Sequence, residues 1–295
     1  MEINNKFVNV LLHIMFLALV AVFVFPILLV IIISFTDQSA INDFGYQIIP
    51  VKTSLEAYRY IFTSNMGVGH AYLVTICSTI CGTVLSVIVM SLYAYPLSRP
   101  GLKGKGFFTF YIFFTMLFGG GLLAWYIVTT KFYHLGNTFF ALILPLAMSP
   151  WYTIIMRTFF QTTIPISIIE SAKMDGAGET RIFFSLVLPL AKPAIATIAL
   201  FQTLAYWNDW FNPMLLITDK NLYNLQFLLQ VMMKNIQMMS ESTMNADVAS
   251  RFSGNIPEDA VRMALCVVAM GPILIVYPFF QKYFIQGLTI GAVKG

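Results

Sequence analysis

Apolar residues run through this chain in long blocks, separated by shorter polar or charged stretches. A helix needs about 20 mainly apolar residues to cross the hydrocarbon core of a bilayer. Six blocks meet that length: Val8–Ser34, His70–Leu97, Phe107–Thr129, Asn137–Met156, Ala194–Ile217 and Val261–Phe280. The pattern predicts an all-α integral membrane protein with six transmembrane helices, organised as one membrane domain over residues 1–295. Gly119-Gly120-Gly121 punctuates the third block, Pro145 and Pro150 the fourth, and Trp207-Asn208-Asp209-Trp210 the fifth. The first block is too long for a signal-peptide core and reads as a retained membrane helix. Two segments expected on the extracellular side are long, residues 35–69 and 218–260. In the second, Leu225, Leu228, Leu229, Met232 and Met233 have helical spacing and predict an amphipathic helix.

One shorter stretch, residues 162–193, is charged and broken by glycine between two apolar blocks, so it lies outside the lipid. Pro165 suits a helix start, where its missing N–H is no loss. Ile168, Ile169 and Ala172 then share a face at helical spacing, with Glu170 and Lys173 pointing elsewhere. Asp175-Gly176-Ala177-Gly178 stops that helix, because glycine takes the left-handed geometry of a tight reversal at little cost. A second helix starts near Glu179, whose charge suits the positive end of the helix dipole. Ile182, Phe183 and Leu186 repeat the one-sided apolar pattern, and Pro189 and Pro193 bend the chain into the fifth block. The stretch is a helix-turn-helix hook on a membrane protein.

Composition agrees: 58% of residues are hydrophobic, 10% charged, and the mean hydropathy is +0.78, outside the range of soluble domains. The net charge of +4 is spread over loops and includes no basic run fit for nucleic acid. If the hook faces the cytoplasm, the same side holds Lys6, Arg99, Lys103, Lys105, Arg157, Lys173, Arg181, Lys192, Lys282 and Lys294, ten of the 17 basic residues. That bias obeys the positive-inside rule and puts both termini in the cytoplasm. Cys77 and Cys81 sit one helical turn apart and Cys266 in another block, which suggests small core packing. His13, His70 and His134 are scattered without metal-ligand spacing. Gly101 to Gly106 does not match a phosphate-binding G-x-x-x-x-G-K-[ST] loop, so an ATP-driven function needs a separate ATPase chain.

The hook resembles the EAA loop of permease subunits of binding-protein-dependent ABC importers. That pattern is Glu-Ala-Ala, three residues, Gly, nine residues, then Ile-x-Leu-Pro. Here Glu170-Ser171-Ala172 is followed by three residues and Gly176, then nine residues, then Leu186-Val187-Leu188-Pro189, with Ser171 and Leu186 as mild departures. YWNDWFNPMLLITD in the fifth block and the ending QKYFIQGLTIGAVKG are similar to the corresponding regions of maltose-type sugar permeases, the MalG-like branch. The resemblance implies a type I ABC importer permease (MetI-like) fold. It implies a second, homologous permease subunit, an ABC ATPase dimer carrying ATP and Mg, and an extracytoplasmic sugar-binding protein, all at a bacterial plasma membrane. It also implies that the hook docks on the ATPase, with Glu170, Ala172, Lys173, Asp175, Gly176, Arg181, Phe183 and Pro189 as coupling residues, Ile168 joining the docking surface, and the tail reaching toward the ATPase dimer.

The cargo reading rests on the fifth block. Asp209 is costly near a spanning run unless it meets water or a partner, and Trp207 and Trp210 flank it. Aromatic faces stack on sugar rings, and they also anchor helices at a membrane interface. Gln202, Trp207, Asn208, Asp209 and Trp210 are therefore candidates for the substrate path, with an oligosaccharide as the expected cargo. The segment around Leu225 either packs over the bundle mouth or meets the binding protein. Competing readings are an ABC permease for an amino acid, polyamine or ion, an ion-coupled secondary transporter, and a structural membrane subunit. The second of these predicts intramembrane carboxylates, which apart from Asp209 are nearly missing from the six blocks.

Overall fold

A computed structural model describes residues 6–63, 67–242 and 258–292. Most of these residues are helical, and the one β feature among them is an isolated bridge between Thr36 and Thr53. In order, the α-helices are α1 (Lys6–Ser34), α2 (Gln38–Phe44), α3 (Glu56–Thr63), α4 (Val68–Ser98), α5 (Lys105–Leu117), α6 (Gly121–Ile127), α7 (Pro150–Thr163), α8 (Ile166–Met174), α9 (Glu179–Ile182), α10 (Leu188–Leu190), α11 (Lys192–Trp207), α12 (Phe211–Leu216), α13 (Leu225–Ser242) and α14 (Glu258–Ala292). Contacts gather them into two compact units, Met1–Val68 with Leu229–Pro272, and Gly69–Leu228 with Ile273–Gly295.

The first and second apolar blocks are unbroken helices, α1 and α4, each long and apolar enough to cross a membrane. The sixth block lies inside α14, whose 35 residues extend over about 50 Å at 1.5 Å per residue. The other three predicted spans are not single rods. The third bends by 115° between α5 and the helix over 121–132, where Gly121 has φ +80° and the glycine run has no side chains to pack. The fourth bends by 53° between 3₁₀ turns at 139–146 and α7. Pro150 opens α7 and Ser149 Oγ caps it. The fifth span, α11, begins after an 80° bend at Ala191 and stops at Trp207.

In the first unit, Asp37 caps α2 by accepting from Ser39 N and Oγ, and it pairs with Lys52 at 2.9 Å. Gln38 Oε1 accepts from the N–H groups of Asp259 and Ala260, so α2 caps the start of α14. Phe35 stacks on Tyr58, whose hydroxyl bonds Ser34. The polar segment 35–69 is thus folded, with α2 and α3 inside it, except for residues 64–66, which lie outside the described residues. In the predicted amphipathic helix, Leu229, Met232 and Ile236 of α13 are buried; residues 243–257 fall outside the described set.

In the second unit α4 buries its small and polar face. Thr75, Ser78, Thr79, Gly82, Ser86 and Ser91 are inside, whereas Leu73, Ile76, Ile80, Val84, Ile88 and Leu92 form an exposed stripe at helical spacing. That inversion fits a helix whose outside meets lipid, because small residues let helix backbones approach closely. At Gly82 a Cβ would fall 2.4 Å from the Tyr206 ring. Tyr206 of α11 is locked there by Ser86 Oγ at 3.1 Å and by its bond to Ile143 O at 2.8 Å. Cys77, Cys81 and Cys266 correct the core-packing expectation: all three are exposed on the surface of this chain.

Candidate functional site: the hook and the far end of α11

The hook folds into α8, a tight turn and α9, and both limbs rest on the second unit's core. Ile169, Ile182, Phe183 and Val187 are buried with Tyr95, Met156 and Phe160. The turn is a Schellman closure. Ala177 N donates to Ala172 O at 2.9 Å and Gly176 N to Lys173 O at 3.0 Å, with Gly176 at φ +81°. These two bonds pair carbonyls that the end of α8 would leave open. After α9 the backbone widens into a π-turn over 183–187, passes Pro189 and turns into α11.

A polar strut ties the hook to the end of α4. Lys173 Nζ lies 2.5 Å from Glu179 Oε1, and Tyr95 OH donates to Glu179 Oε2 at 2.7 Å. Lys173 first and Tyr95 second hold the Glu179 carboxyl below its usual range. The Tyr95 ring packs on Phe183 with centroids 5.2 Å apart, and the Arg99 guanidinium lies 5.4 Å from its centre. Arg99 Nη2 donates to Phe160 O at 2.8 Å. Tyr95 and Arg99 were not among the sequence-predicted site residues. Their only signal was polarity at the edge of the second block, since their partners lie 84 and 61 residues away.

Of the eight predicted coupling residues, Glu170, Lys173, Asp175, Gly176, Arg181 and Pro189 are exposed, Ala172 is half-buried and Phe183 is buried. Phe183 therefore holds α9 against α4 and does not present a surface. Ile168 is exposed, and so is Met174, at 82% the barest large apolar side chain on the hook. Met174 escaped the sequence reading because a lone methionine between charged residues carries no periodic signal.

The predicted substrate-path residues gather at the other end of α11. From Lys192 to Trp207 the helix rises about 22 Å, so they stand most of a membrane's thickness from the hook. Gln202 and Trp207 are buried, Trp207 against Tyr72 at 6.3 Å between centroids. Asp209 closes the start of α12 by accepting from Asn212 N at 3.1 Å and Asn212 Nδ2 at 2.9 Å. Its backbone carbonyl accepts from Asn224 Nδ2. Asn208 is exposed and donates to Leu204 O. Trp210 is 41% exposed and meets Phe211 edge-on. The two tryptophans thus divide, one filling the core and one presenting a face. No group of three or more His, Cys, Asp or Glu side chains able to hold a metal occurs among the described residues.

Residues 3–290 match the family described as "Binding-protein-dependent transport system inner membrane component". The chain is 39% identical to the polygalacturonan/rhamnogalacturonan transport system permease protein YtcP of Bacillus subtilis (strain 168), over 99% of this chain and 100% of that one. It is 37% identical to Protein LplC of the same organism, over 93% of this chain and 90% of the relative. A solved bacterial ABC transporter "involved in the import of the acidic polysaccharide alginate" contains a chain with the same fold. The TM-score is 0.80 at 27% identity, covering 96% of this chain and 99% of that one.

Proposed function

Because the chain belongs to the binding-protein-dependent transport system inner membrane component family, we infer that it is the permease subunit of an ATP-driven importer for oligosaccharides. Uronate-containing fragments are the first cargo to test, since the names of two similar proteins concern polygalacturonan and alginate. Its partners are a second, homologous permease, an ABC ATPase dimer that binds ATP and Mg, and an extracytoplasmic sugar-binding protein. It sits in the bacterial plasma membrane with both termini and the hook in the cytoplasm, the side favoured by Arg99, Lys103 and Lys105.

The observation that carries the coupling role is the double attachment of the hook. Its second limb continues through the bend at Ala191 into α11, and its turn is tied to α4 through Tyr95, Glu179 and Lys173. A lever held at both ends transmits a rigid-body displacement, whereas a slack loop would absorb it. The exposed Ile168, Met174, Glu170, Asp175 and Arg181 offer the ATPase an apolar patch with charges beside it. When the ATPase dimer closes, the displacement passes along α11 to the end that carries Asn208, Asp209 and Trp210. There the Trp210 face stacks on sugar rings as the path between the two permeases opens outward.

Uptake tests this reading. Deleting the gene should abolish growth on oligogalacturonides or related uronate oligosaccharides while leaving growth on the free monosaccharides intact. Undiminished oligosaccharide uptake in the deletion strain would overturn the cargo assignment.

A further inference from the structure

Beside the strut is a cavity of about 520 Å³ whose walls are of two kinds. One side is apolar: Leu92 and Pro96 of α4 face Phe184, and Leu92 and Phe184 are 49% and 56% exposed. The other side is polar and carries Arg99, Lys173 and Thr180. The single carboxylate in the lining, Glu179, is already engaged through both oxygens by Lys173 and Tyr95. Arg99 forms no ion pair among the described residues, and its Nε–H is buried without an acceptor. Lys103 follows in the same loop and Lys105 opens α5, with Lys105 Nζ donating to Arg99 O at 3.4 Å. A cationic group whose one carboxylate neighbour, Glu179, is already engaged by Lys173 and Tyr95 therefore stands beside an apolar wall at the end of a spanning helix.

An occupant that satisfies both walls is an amphiphile with an anionic head. Basic pockets at the cytoplasmic ends of spanning helices suit the head groups of anionic lipids. We propose that this cavity binds one anionic glycerophospholipid of the leaflet on the hook's side. Its phosphodiester lies against Arg99 and an acyl chain runs along Leu92 and Phe184. The proposal rests on the hook lying at the cytoplasmic interface. A lipid there touches Tyr95 and Glu179, the residues that fasten the hook to α4, so the anionic lipid content of that leaflet becomes an input to coupling.

The test uses the whole transporter, purified with its ATPase subunits and exchanged into nanodiscs of phosphatidylcholine with phosphatidylglycerol. Native mass spectrometry then counts the lipid that stays bound. One phosphatidylglycerol should be retained in preference to phosphatidylcholine. Arg99→Gln should reduce its retention about fivefold, the effect of one basic residue at a membrane surface, and Arg99→Lys should restore most of it. Phe184→Asp changes an exposed side chain that makes no bond to Arg99 and should reduce retention in the same way, so a folding defect in Arg99→Gln alone cannot decide the result. Equal retention in wild type and both loss variants would overturn the site. So would retention only in preparations stripped of ATPase, which would mean that the ATPase covers the cavity. The side of the membrane is read separately, with a membrane-impermeant maleimide on Lys103→Cys. Labelling of intact cells from outside would refute the orientation, whatever the lipid count.

Discussion

Gly176 is the position where the coupling account is most exposed to a single substitution. With φ at +81° it occupies the left-handed region, and a Cβ built there would meet nothing within 4 Å. Steric clash with neighbours therefore plays no part, and the cost of a side chain is conformational. For an ordinary L-residue that cost is roughly 1–2 kcal/mol, and asparagine is more tolerant. Gly176→Pro does more: it forces φ toward about −65° and removes the N–H that bonds Lys173 O, for about 3 kcal/mol or more. The hook should loosen in the order Gly, Asn, Ala, Pro. Since 1–2 kcal/mol changes a two-state ratio by a factor of roughly 5–30, hydrogen exchange over residues 166–190 should accelerate by about that factor in Gly176→Ala. In Gly176→Pro the turn should be open, and ATP hydrolysis should proceed without uptake in a protein that still inserts and assembles. The assays are exchange by mass spectrometry on the assembled transporter and oligosaccharide uptake in vesicles. Wild-type exchange and uptake in Gly176→Pro, or an alanine variant as impaired as the proline one, would refute the lever argument.

Tyr95→Phe keeps the ring on Phe183 but removes the hydroxyl from Glu179, a bond to a charged acceptor in a partly exposed place. A loss of about 1–2 kcal/mol should appear as faster exchange in α9 and weaker stimulation of ATP hydrolysis by the binding protein. Gly82→Ala should lower the melting temperature in detergent, because the Tyr206 ring is buried and bonded on both sides; overpacking of this kind costs about 1–3 kcal/mol, and an unchanged melting temperature would count against the tight α4–α11 crossing. Trp207→Leu should destabilise the fold by about 2–4 kcal/mol, whereas Trp210→Leu should leave the melting temperature alone and weaken uptake; unchanged uptake by the latter would favour a membrane-anchor role. Asp37 is held at about 2, below its ordinary 3.8, first by the Ser39 hydroxyl and then by Lys52. With the folded-state value lowered, its contribution is full above about pH 4 and fades as pH falls toward 2; Asp37→Asn should erase that part of the acid sensitivity of thermal unfolding.

Much of the hook was legible because its signals are local. Proline before the first limb, glycine at the reversal and an acidic residue at the second helix start each act within a few residues, and the Schellman bonds of Gly176 and Ala177 span one turn. The amphipathic face of α13 was legible for the same reason, since Leu225, Leu228, Leu229 and Met232 repeat at the helical period and are buried. Bends within spans were not. Hydropathy averaged over a block is blind to direction, so the 115° turn after Leu117 and the stop at Trp207 looked like continuous membrane helix. The strut was hidden for a different reason: Tyr95 meets Glu179 across 84 residues, and nothing in either neighbourhood names the other. The unlike fates of Trp207 and Trp210 follow from the helix break at Asn208, which turns one indole inward and leaves the other in the open. The cysteines are misplaced by the sequence because an apolar block does not say which side of its helix is packed, and all three lie on the exposed side.

The most direct measurement is ATP hydrolysis by the assembly that co-purifies with this chain, with and without its sugar-binding protein and an oligosaccharide. The account predicts that an ATPase and a second permease come with it. It further predicts that binding protein and oligosaccharide together raise hydrolysis in wild type, and that in Gly176→Pro the rate no longer responds to them. A chain that purifies without an ATPase, or an assembly whose hydrolysis ignores every oligosaccharide and is unaffected by opening the Gly176 turn, would contradict it.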